Sequence, residues 1–223
     1  MSVVIAAHNE GATIADVVNS ARSAAGVDCE MIVVDDGSSD NTAQNAESAG
    51  ATVFRLDTKQ GKGVALRTGI ERSSGRWLVF LDADGQDDPQ EIPLLLDAAN
   101  DDVALVNGSR FLGCLEDGAI SAPNWLGNVM ITGLFDLCFG TRITDTQAGF
   151  RVIHGELARS LPLESKEYKI ETEMLAKVLR RGLRVVEVPV TRYQRAGGTT
   201  DFRRIRNGLR IVRTILKERV RKA

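Results

Sequence analysis

Leu78-Val79-Phe80-Leu81-Asp82-Ala83-Asp84-Gly85-Gln86 is an apolar run that turns acidic at its end. A short apolar stretch bounded by turn residues reads as a buried strand. Two carboxylates one residue apart, on a chain just leaving a strand, can both face a hard cation in the crevice beyond the sheet's carboxyl edge. Gln86 can add a neutral oxygen. Asp82, Asp84 and Gln86 are therefore candidate ligands for Mg²⁺ or Mn²⁺, an octahedral ion that keeps places for water and substrate phosphates. Taken alone, the pattern reads equally well as solvated loop carboxylates ahead of a helix, with Asp87 and Asp88 near its start. The flanking sequence has to decide.

Upstream, Ser2-Val3-Val4-Ile5-Ala6-Ala7 reads as a central strand followed by His8-Asn9-Glu10-Gly11. Ile14, Val17, Val18 and Ala21 keep helical spacing, with Thr13 as a cap and Gly26 as a stop. A second strand over 30–34 ends in Asp35-Asp36-Gly37-Ser38-Ser39-Asp40, where the two serines are expected to cap a helix over 41–49. A third strand over 52–56 precedes Gly61-Lys62-Gly63, which opens a third helix ending near Gly75. Downstream, Pro89 suits the first position of a helix, and a strand over 103–106 leads into Gly108-Ser109-Arg110. This alternation predicts an α/β fold, a Rossmann-like, mostly parallel sheet with helices on both faces. Three strand ends are polar, at 8–10, 35–37 and 82–84, which favours a nucleotide-type crevice at that edge.

Beyond residue 110 the rhythm breaks. The sequence predicts a loop over 112–123, an apolar helix over 126–139 and a polar turn over 144–151. Helices are expected near 155–160 and 170–181, a strand over 185–190, a mobile Gly197-Gly198-Thr199-Thr200 and a last helix over 203–220. At 223 residues the chain is read as one domain, with a nucleotide-sugar and metal half (1–110), an acceptor half (111–200) and a basic amphipathic C-terminal helix (201–223). Cys29, Cys114 and Cys138 fit neither a disulfide framework nor a metal-binding spacing, so a reducing compartment is expected. No signal segment opens the chain and no apolar run reaches the ~20 residues of a membrane span. A cytoplasmic protein, at most peripheral on the cytoplasmic face of a membrane, is the expectation.

Charge is unevenly distributed. Residues 191–223 carry eleven Lys/Arg against Asp201 and Glu218, a balance of +9, which leaves −11 on the rest of a chain whose net charge is −2. A basic tail on an acidic body points to an anionic surface or a phosphate-bearing partner for the tail; a nucleic-acid partner is not expected. In the last helix Ile205, Leu209, Val212, Leu216 and Val220 form an apolar stripe. Arg206, Arg210, Arg213 and Lys217 form a basic one beside it. Such a helix can lie on an anionic membrane, or it can pack on the body with a solvated basic face.

Several chemistries are excluded. No G-x-x-x-x-G-K-[ST] is present and no G-x-G-x-x-G follows the first strand. Neither His8 nor His154 sits in a metal-binding pattern, and Ser38 and Ser39 lack a G-x-S-x-G setting. A carboxylate-held cation beside a nucleotide crevice serves both sugar transfer and nucleotidyl transfer, because each has to neutralise a phosphate leaving group.

Taken in register, Ala6-Ala7-His8-Asn9-Glu10, Val33-Val34-Asp35-Asp36-Gly37-Ser38-Ser39-Asp40-Asn41-Thr42, Asp82-Ala83-Asp84-Gly85-Gln86, Gly108-Ser109-Arg110 and Asp145-Thr146-Gln147-Ala148-Gly149-Phe150-Arg151 resemble a family-2 glycosyltransferase of the GT-A fold. The match is nearest to the polyprenyl-phosphate (dolichyl-phosphate) mannosyl- and glucosyltransferase branch. Ile170-Glu171-Thr172-Glu173-Met174-Leu175 and Glu187-Val188-Pro189-Val190 extend it over nearly the whole chain. The resemblance implies a metal-dependent, inverting transfer of a hexose from GDP-mannose, UDP-glucose or a UDP-N-acetylhexosamine to polyprenyl phosphate. It implies that Ala7, Asn9, Glu10, Asp35, Asp36, Lys62, Asp82 and Ala83 bind the nucleotide sugar. Asp82, Asp84 and Gln86 would hold the metal, and Asp84, Arg110, Asp145 and Gln147 would serve catalysis. Arg110, Arg151, Arg192 and Arg195 would meet the acceptor.

An ionised lipid phosphate needs no strong general base, only positioning. A hydroxyl acceptor needs one, and Asp145 is then the candidate. Two departures stand out: Trp125 replaces a basic residue, and the segment after Arg195 lacks a lysine for which Arg203 or Arg204 could substitute. The alternatives are a family-2 transferase acting on a glycan hydroxyl, and a sugar nucleotidyltransferase. The glycine-rich basic loop of the latter is replaced by His8-Asn9-Glu10.

Overall fold

The computed structural model describes residues 1–26, 28–195 and 204–220, with side chains from Asn207 onward in the final helix. The expected mobile glycines at 197–198, and Arg203, lie outside the described residues. Seven strands form one sheet: β1 (Ser2–Ala7), β2 (Glu30–Asp35), β3 (Thr52–Arg55), β4 (Trp77–Asp82), β5 (Leu105–Ser109), β6 (Arg151–His154) and β7 (Val185–Pro189). Their order is β3-β2-β1-β4-β6-β5-β7. All pairings are parallel except those of β6, which runs antiparallel to both β4 and β5. The helices are α1 (Ile14–Ala25), α2 (Thr42–Ser48), α3 (Lys62–Arg72), α4 (Ile92–Ala98), α5 (Ala122–Phe139), α6 (Gly155–Ser160), α7 (Ile170–Arg180) and α8 (Arg204–Val220).

Period-two alternation divides the strand side chains between two faces. Val3, Ile5, Val33, Val79 and Leu81 pack with Ile14, Val17 and Val18 of α1 and with Ile92 and Leu95 of α4. Val4, Ile32, Val34, Leu78 and Phe80 pack with Leu66 and Ile70 of α3, Phe135 of α5, Met174 and Val178 of α7, and Ile211 and Ile215 of α8. The result is a helix–sheet–helix sandwich whose central strands are buried on both sides, as their continuous apolar runs require.

β6 was not anticipated from the sequence, which placed a turn up to residue 151. Because β6 enters from the carboxyl edge of its neighbours, the turn at 144–150 is delivered to the same edge as the ends of β1, β2, β4 and β5. Pro89 opens a short 3-10 turn (Pro89–Glu91) ahead of α4, and the Asp88 carboxylate caps it by accepting from Gln90 N at 2.9 Å. Thr13 sits at the α1 N-cap, but its hydroxyl donates to Ala83 O at 2.7 Å, which ties α1 to the Asp82–Asp84 loop.

The last helix departs from expectation. Its packed face is Asn207, Ile211, Thr214, Ile215 and Glu218, whereas Leu209 (67% exposed), Leu216 and Val220 face outward. Part of the basic stripe is engaged on the body instead. Arg210 pairs with Glu167, and Lys217 Nζ lies 2.6 Å from Glu164. Ile205 and Arg206 of those stripes are not described at the side-chain level. Among the described residues no helix is long and apolar enough to cross a membrane.

Candidate active site

A cavity of about 890 Å³ opens at the carboxyl edge of the sheet, where ligands bind in sheets of this kind. Its lining brings together Ala7, Glu10, Asp36, Lys62, Asp82, Ala83, Asp84, Gln86, Arg110, Gln147, Arg192 and Arg195. One side is built on the Gly61-Lys62-Gly63 start of α3. A β-carbon at Gly61 would lie 2.2 Å from Lys166 O, and one at Gly63 would lie 2.3 Å from Ser165 O. The backbones therefore approach too closely for any side chain, and Gly63 N donates to Lys166 O at 3.0 Å. Gln60 N and Gly61 N both donate to the Asp36 carboxylate, at 2.6 and 2.8 Å. This close seam sends Lys62 into the cavity, where its ammonium lies 2.5 Å from Asp82 and 2.7 Å from Glu171.

Burial alone would raise the Asp82 pKa, but Lys62 and then Arg192 hold it below the ordinary carboxylate range. Asp84 is pushed up, first by burial and then by the charge of Asp82. Burial also raises Glu10, against the pull of its ion pair with Arg195. Arg192 is nearly buried and joins the loop from the far side. It donates to Asp87 at 2.7 Å and to Gln86 Oε1 at 2.9 Å, and lies 3.7 Å from Asp84 Oδ2. Gly149 abuts Asp82 so closely that a β-carbon there would stand 2.9 Å from its carboxylate.

Two carboxylates and an amide oxygen are hard donors suited to Mg²⁺ or Mn²⁺. Among the described residues no group of three His, Cys, Asp or Glu converges. That fits an ion which takes the rest of its shell from water and phosphate. Among the described residues no cation lies nearer to Asp84 Oδ2 than Arg192 and Arg195, each at 3.7 Å, so this oxygen could receive such an ion. Gln86 Oε1 accepts one hydrogen bond, from Arg192, and keeps a second lone pair.

A model of glycosyl transferase family 2 matches residues 2–159. The chain belongs to glycosyl transferase family 2. Glycosyltransferase AglJ of Haloferax volcanii is 33% identical, over 90% of this chain and 66% of its own length. An undecaprenyl-phosphate mannosyltransferase of Micrococcus luteus is 33% identical, over 78% of this chain and 75% of its own. Glucosyl-3-phosphoglycerate synthase from Mycobacterium tuberculosis, solved with Mn²⁺, UDP and phosphoglyceric acid, superposes with a TM-score of 0.78 at 25% identity, over all of this chain and 79% of that one. The GT-A fold is thus shared. The chain spans about two thirds of the length of the Haloferax protein.

Not every residue singled out from the family-2 motifs reaches the cavity. Asn9, at φ 55°, spends its side chain between loops, with its Oδ1 accepting from Ser39 N at 2.9 Å. Asp35 is fully buried; its carboxylate accepts from Ser38 N at 2.9 Å and pairs with Arg55, which makes it a turn former. Asp145 is also fully buried and is clamped by both arms of Arg110 at 2.6 and 2.8 Å, with Asn128 adding a third bond at 3.2 Å. Arg151 lies beneath the cavity rather than in it. It donates to Glu171 O at 2.6 Å and Thr146 O at 2.9 Å, and burial lowers its pKa to about 10, so it remains charged at neutral pH. Ser38 does not cap α2. Its hydroxyl accepts from Asn9 N at 2.9 Å, and Asp40 satisfies Thr42 N at 3.0 Å.

His8 lies on the lining with Nδ1 2.8 Å from Asp36 O. Trp125, standing where a basic residue was expected, is exposed on the first turn of α5. Sequence reasoning gave no site role to Tyr168, Glu171 or Asn128, and placed Arg210 only in the basic stripe of the last helix, yet all four line the cavity. Glu171 carried a usable signal. Glu171, Glu173 and Lys177 stand among the apolar positions of α7, and all three are buried.

Proposed function

We propose that this chain is an inverting, metal-dependent hexosyltransferase that moves mannose or glucose from a nucleoside diphosphate sugar to a polyprenyl phosphate. The observation that carries this reading is the state of Asp145. It is the base that a hydroxyl acceptor would call for, and it is sealed in a two-armed pair with Arg110. Although burial raises its pKa, Arg110 with Asn128 and Gln147 N hold it low, so it is a poor proton acceptor. A phosphate acceptor arrives already ionised and needs cations to position it, which Arg110, Arg192 and Arg195 can supply. The mannosyltransferase relative, named for an undecaprenyl phosphate, supports the acceptor class. The Mn²⁺ and UDP of the mycobacterial synthase support a divalent ion with a nucleotide donor.

In this reading an acceptor phosphate oxygen attacks the anomeric carbon as the bond to the donor's diphosphate oxygen breaks, and configuration inverts. Asp82, Asp84 and Gln86 would hold a divalent ion, which when bound would supply charge to stabilise the departing diphosphate. Ala7, Glu10, Asp36, Lys62 and Ala83 bind the nucleotide sugar. Arg110 and Arg192 face the phosphates, and Gln147 faces the sugar. Asn9, Asp35, Asp145 and Arg151 position these groups from behind.

A lipid-linked acceptor also suits α5 and α8, whose outward faces carry Leu126, Met130, Leu137, Leu209, Leu216 and Val220. In this reading the chain attaches peripherally to the cytoplasmic face of a membrane. The test is transfer of labelled mannose from GDP-mannose, or glucose from UDP-glucose, to polyprenyl phosphate in detergent with Mn²⁺. Labelled lipid that disappears with EDTA and in Asp84→Ala is the expected outcome. Label on soluble glycan alone would instead favour a hydroxyl acceptor, and release of pyrophosphate from a nucleoside triphosphate would favour nucleotidyl transfer.

A further inference from the structure

Glu187 opens the Glu187-Val188-Pro189-Val190 motif, yet it lies outside the cavity lining and takes no part in the transfer described above. Its side chain stands half-buried on β7, in register with Asn107 of β5, so the two project from the same face of the sheet. Oε2 accepts from Thr144 N at 2.7 Å and from Thr144 Oγ1 at 2.9 Å. Oε1 accepts from Asn107 Nδ2 at 2.9 Å and from Asp145 N at 3.3 Å. Asn107 Nδ2 also donates to Asp145 O at 2.8 Å. The main chain of Asp145 is therefore held at both its N–H and its C=O by side chains from two neighbouring strands.

The Thr144 hydroxyl has one proton. With that proton given to Glu187, the hydroxyl is left to accept from Ser109 Oγ, 2.5 Å away. Ser109 ends β5, and Arg110 follows it. The turn is thus tied to this strand end at two adjacent residues, at Ser109 through Thr144 and at Arg110 through Asp145, whose carboxylate takes both arms of the guanidinium. A carboxylate presents acceptors alone, whereas a glutamine of the same shape would turn an NH₂ group against one pair of these donors.

We propose that Glu187 is a positioning residue: by fixing the 144–145 turn it holds Asp145, and through Asp145 it sets the direction in which Arg110 meets the acceptor phosphate. This rests on the phosphate-acceptor reading above. Glu10, Lys62, Asp82 and Asp84 stand on other segments, so binding of the nucleotide is not expected to depend on Glu187.

The test pairs steady-state transfer to polyprenyl phosphate in detergent with calorimetric binding of GDP and UDP in Mn²⁺, on the full chain. In Glu187→Gln, kcat/KM for the acceptor should fall by about tenfold or more, the range of hydrogen bonds to a charged group. Nucleotide affinity should stay within about twofold of wild type, well below that range. A double-mutant cycle then uses Arg110→Lys, which keeps a charge opposite Asp145 but gives up the two-armed fork. In that background Glu187→Gln should lower kcat/KM by no more than about twofold, because the group it orients is gone. An undiminished loss there overturns the proposal, as does an unchanged kcat/KM in Glu187→Gln alone. Nucleotide affinity that falls in step with activity overturns it too, by marking a general loosening of the site. Thr144→Val, which removes the hydroxyl bond to Glu187 at nearly constant shape, carries the same cycle should Glu187→Gln fail to fold. Wild-type protein that binds nucleotide yet transfers nothing to polyprenyl phosphate overturns the acceptor reading, and the proposal with it.

Discussion

Asp145 and Arg110 form a buried ion pair whose two members depend on each other. Both sit almost out of solvent, and removing one partner of such a pair strands the other's charge. Asp145→Asn is therefore expected to cost about 3 kcal/mol at neutral pH, measured by denaturant unfolding. The pH dependence has a definite sign. Arg110 and the Asn128 and Gln147 N–H groups depress the folded-state pKa of Asp145 below its unfolded value, although burial works against them. The stabilisation is thus fully present above the unfolded carboxylate value of about 4 and is lost as pH falls through the lower folded value. The gap between wild type and variant should stay flat from pH 7 to about 5 and narrow below pH 4. A gap that instead widened on acidification would mean that the folded-state pKa of Asp145 lies above its unfolded value, and that Arg110 does not hold the carboxylate low.

At the scale of elements, α5 and α8 pack on each other and turn apolar side chains outward together. On α5, Met130 is 67% and Leu137 83% exposed, so neither contributes to the core. Replacing both with serine should leave unfolding free energy within about 0.5 kcal/mol of wild type. Under the proposed peripheral attachment, flotation with anionic lipid vesicles should nevertheless drop by about tenfold or more, since two exposed apolar side chains are lost. Unaltered flotation would remove α5 from the membrane-facing surface. These helices also show where the sequence was legible. Six strands and the order of helices could be read from long apolar runs with clear breakers. β6 could not, because Arg151-Val152-Ile153-His154 has only two apolar residues and begins with an arginine whose burial depends on carbonyls distant in sequence. In α8 the apolar positions 209, 212, 216 and 220 have helical spacing, yet Ile211 and Ile215, on the next face, meet α5 and α7. Periodicity reveals an amphipathic helix but not which of two apolar faces the body covers. The same limit applied within the site. The D-x-D loop, Lys62 and the arginines were evident as residue types, whereas Asp35, Asp145 and Arg151 look identical in sequence to ligand-facing groups and are separated from them only by tertiary partners.

The whole molecule collects opposite charges at one edge and pairs them off before any ligand arrives. Lys62 spans Asp82 and Glu171, Arg195 holds Glu10, and Arg192 holds Asp87. In the proposed function a diphosphate would compete for these cations, and a divalent ion for the carboxylates they release. Each should therefore favour the other's binding, which is a coupling that must be reciprocal. A ligand that binds only the folded state raises stability by RT ln(1 + [L]/Kd), about 2.7 kcal/mol at a hundredfold excess. For a chain of this size that amounts to a rise in Tm of roughly 5–10 °C. The expected result is a shift with nucleoside diphosphate and Mn²⁺ together that exceeds the two separate shifts added. GDP acting alone among the nucleotides would indicate a mannosyl donor, whereas UDP alone would indicate glucose or an N-acetylhexosamine. Strictly additive shifts would show that the resident ion pairs are not exchanged, and that metal and diphosphate occupy this edge independently.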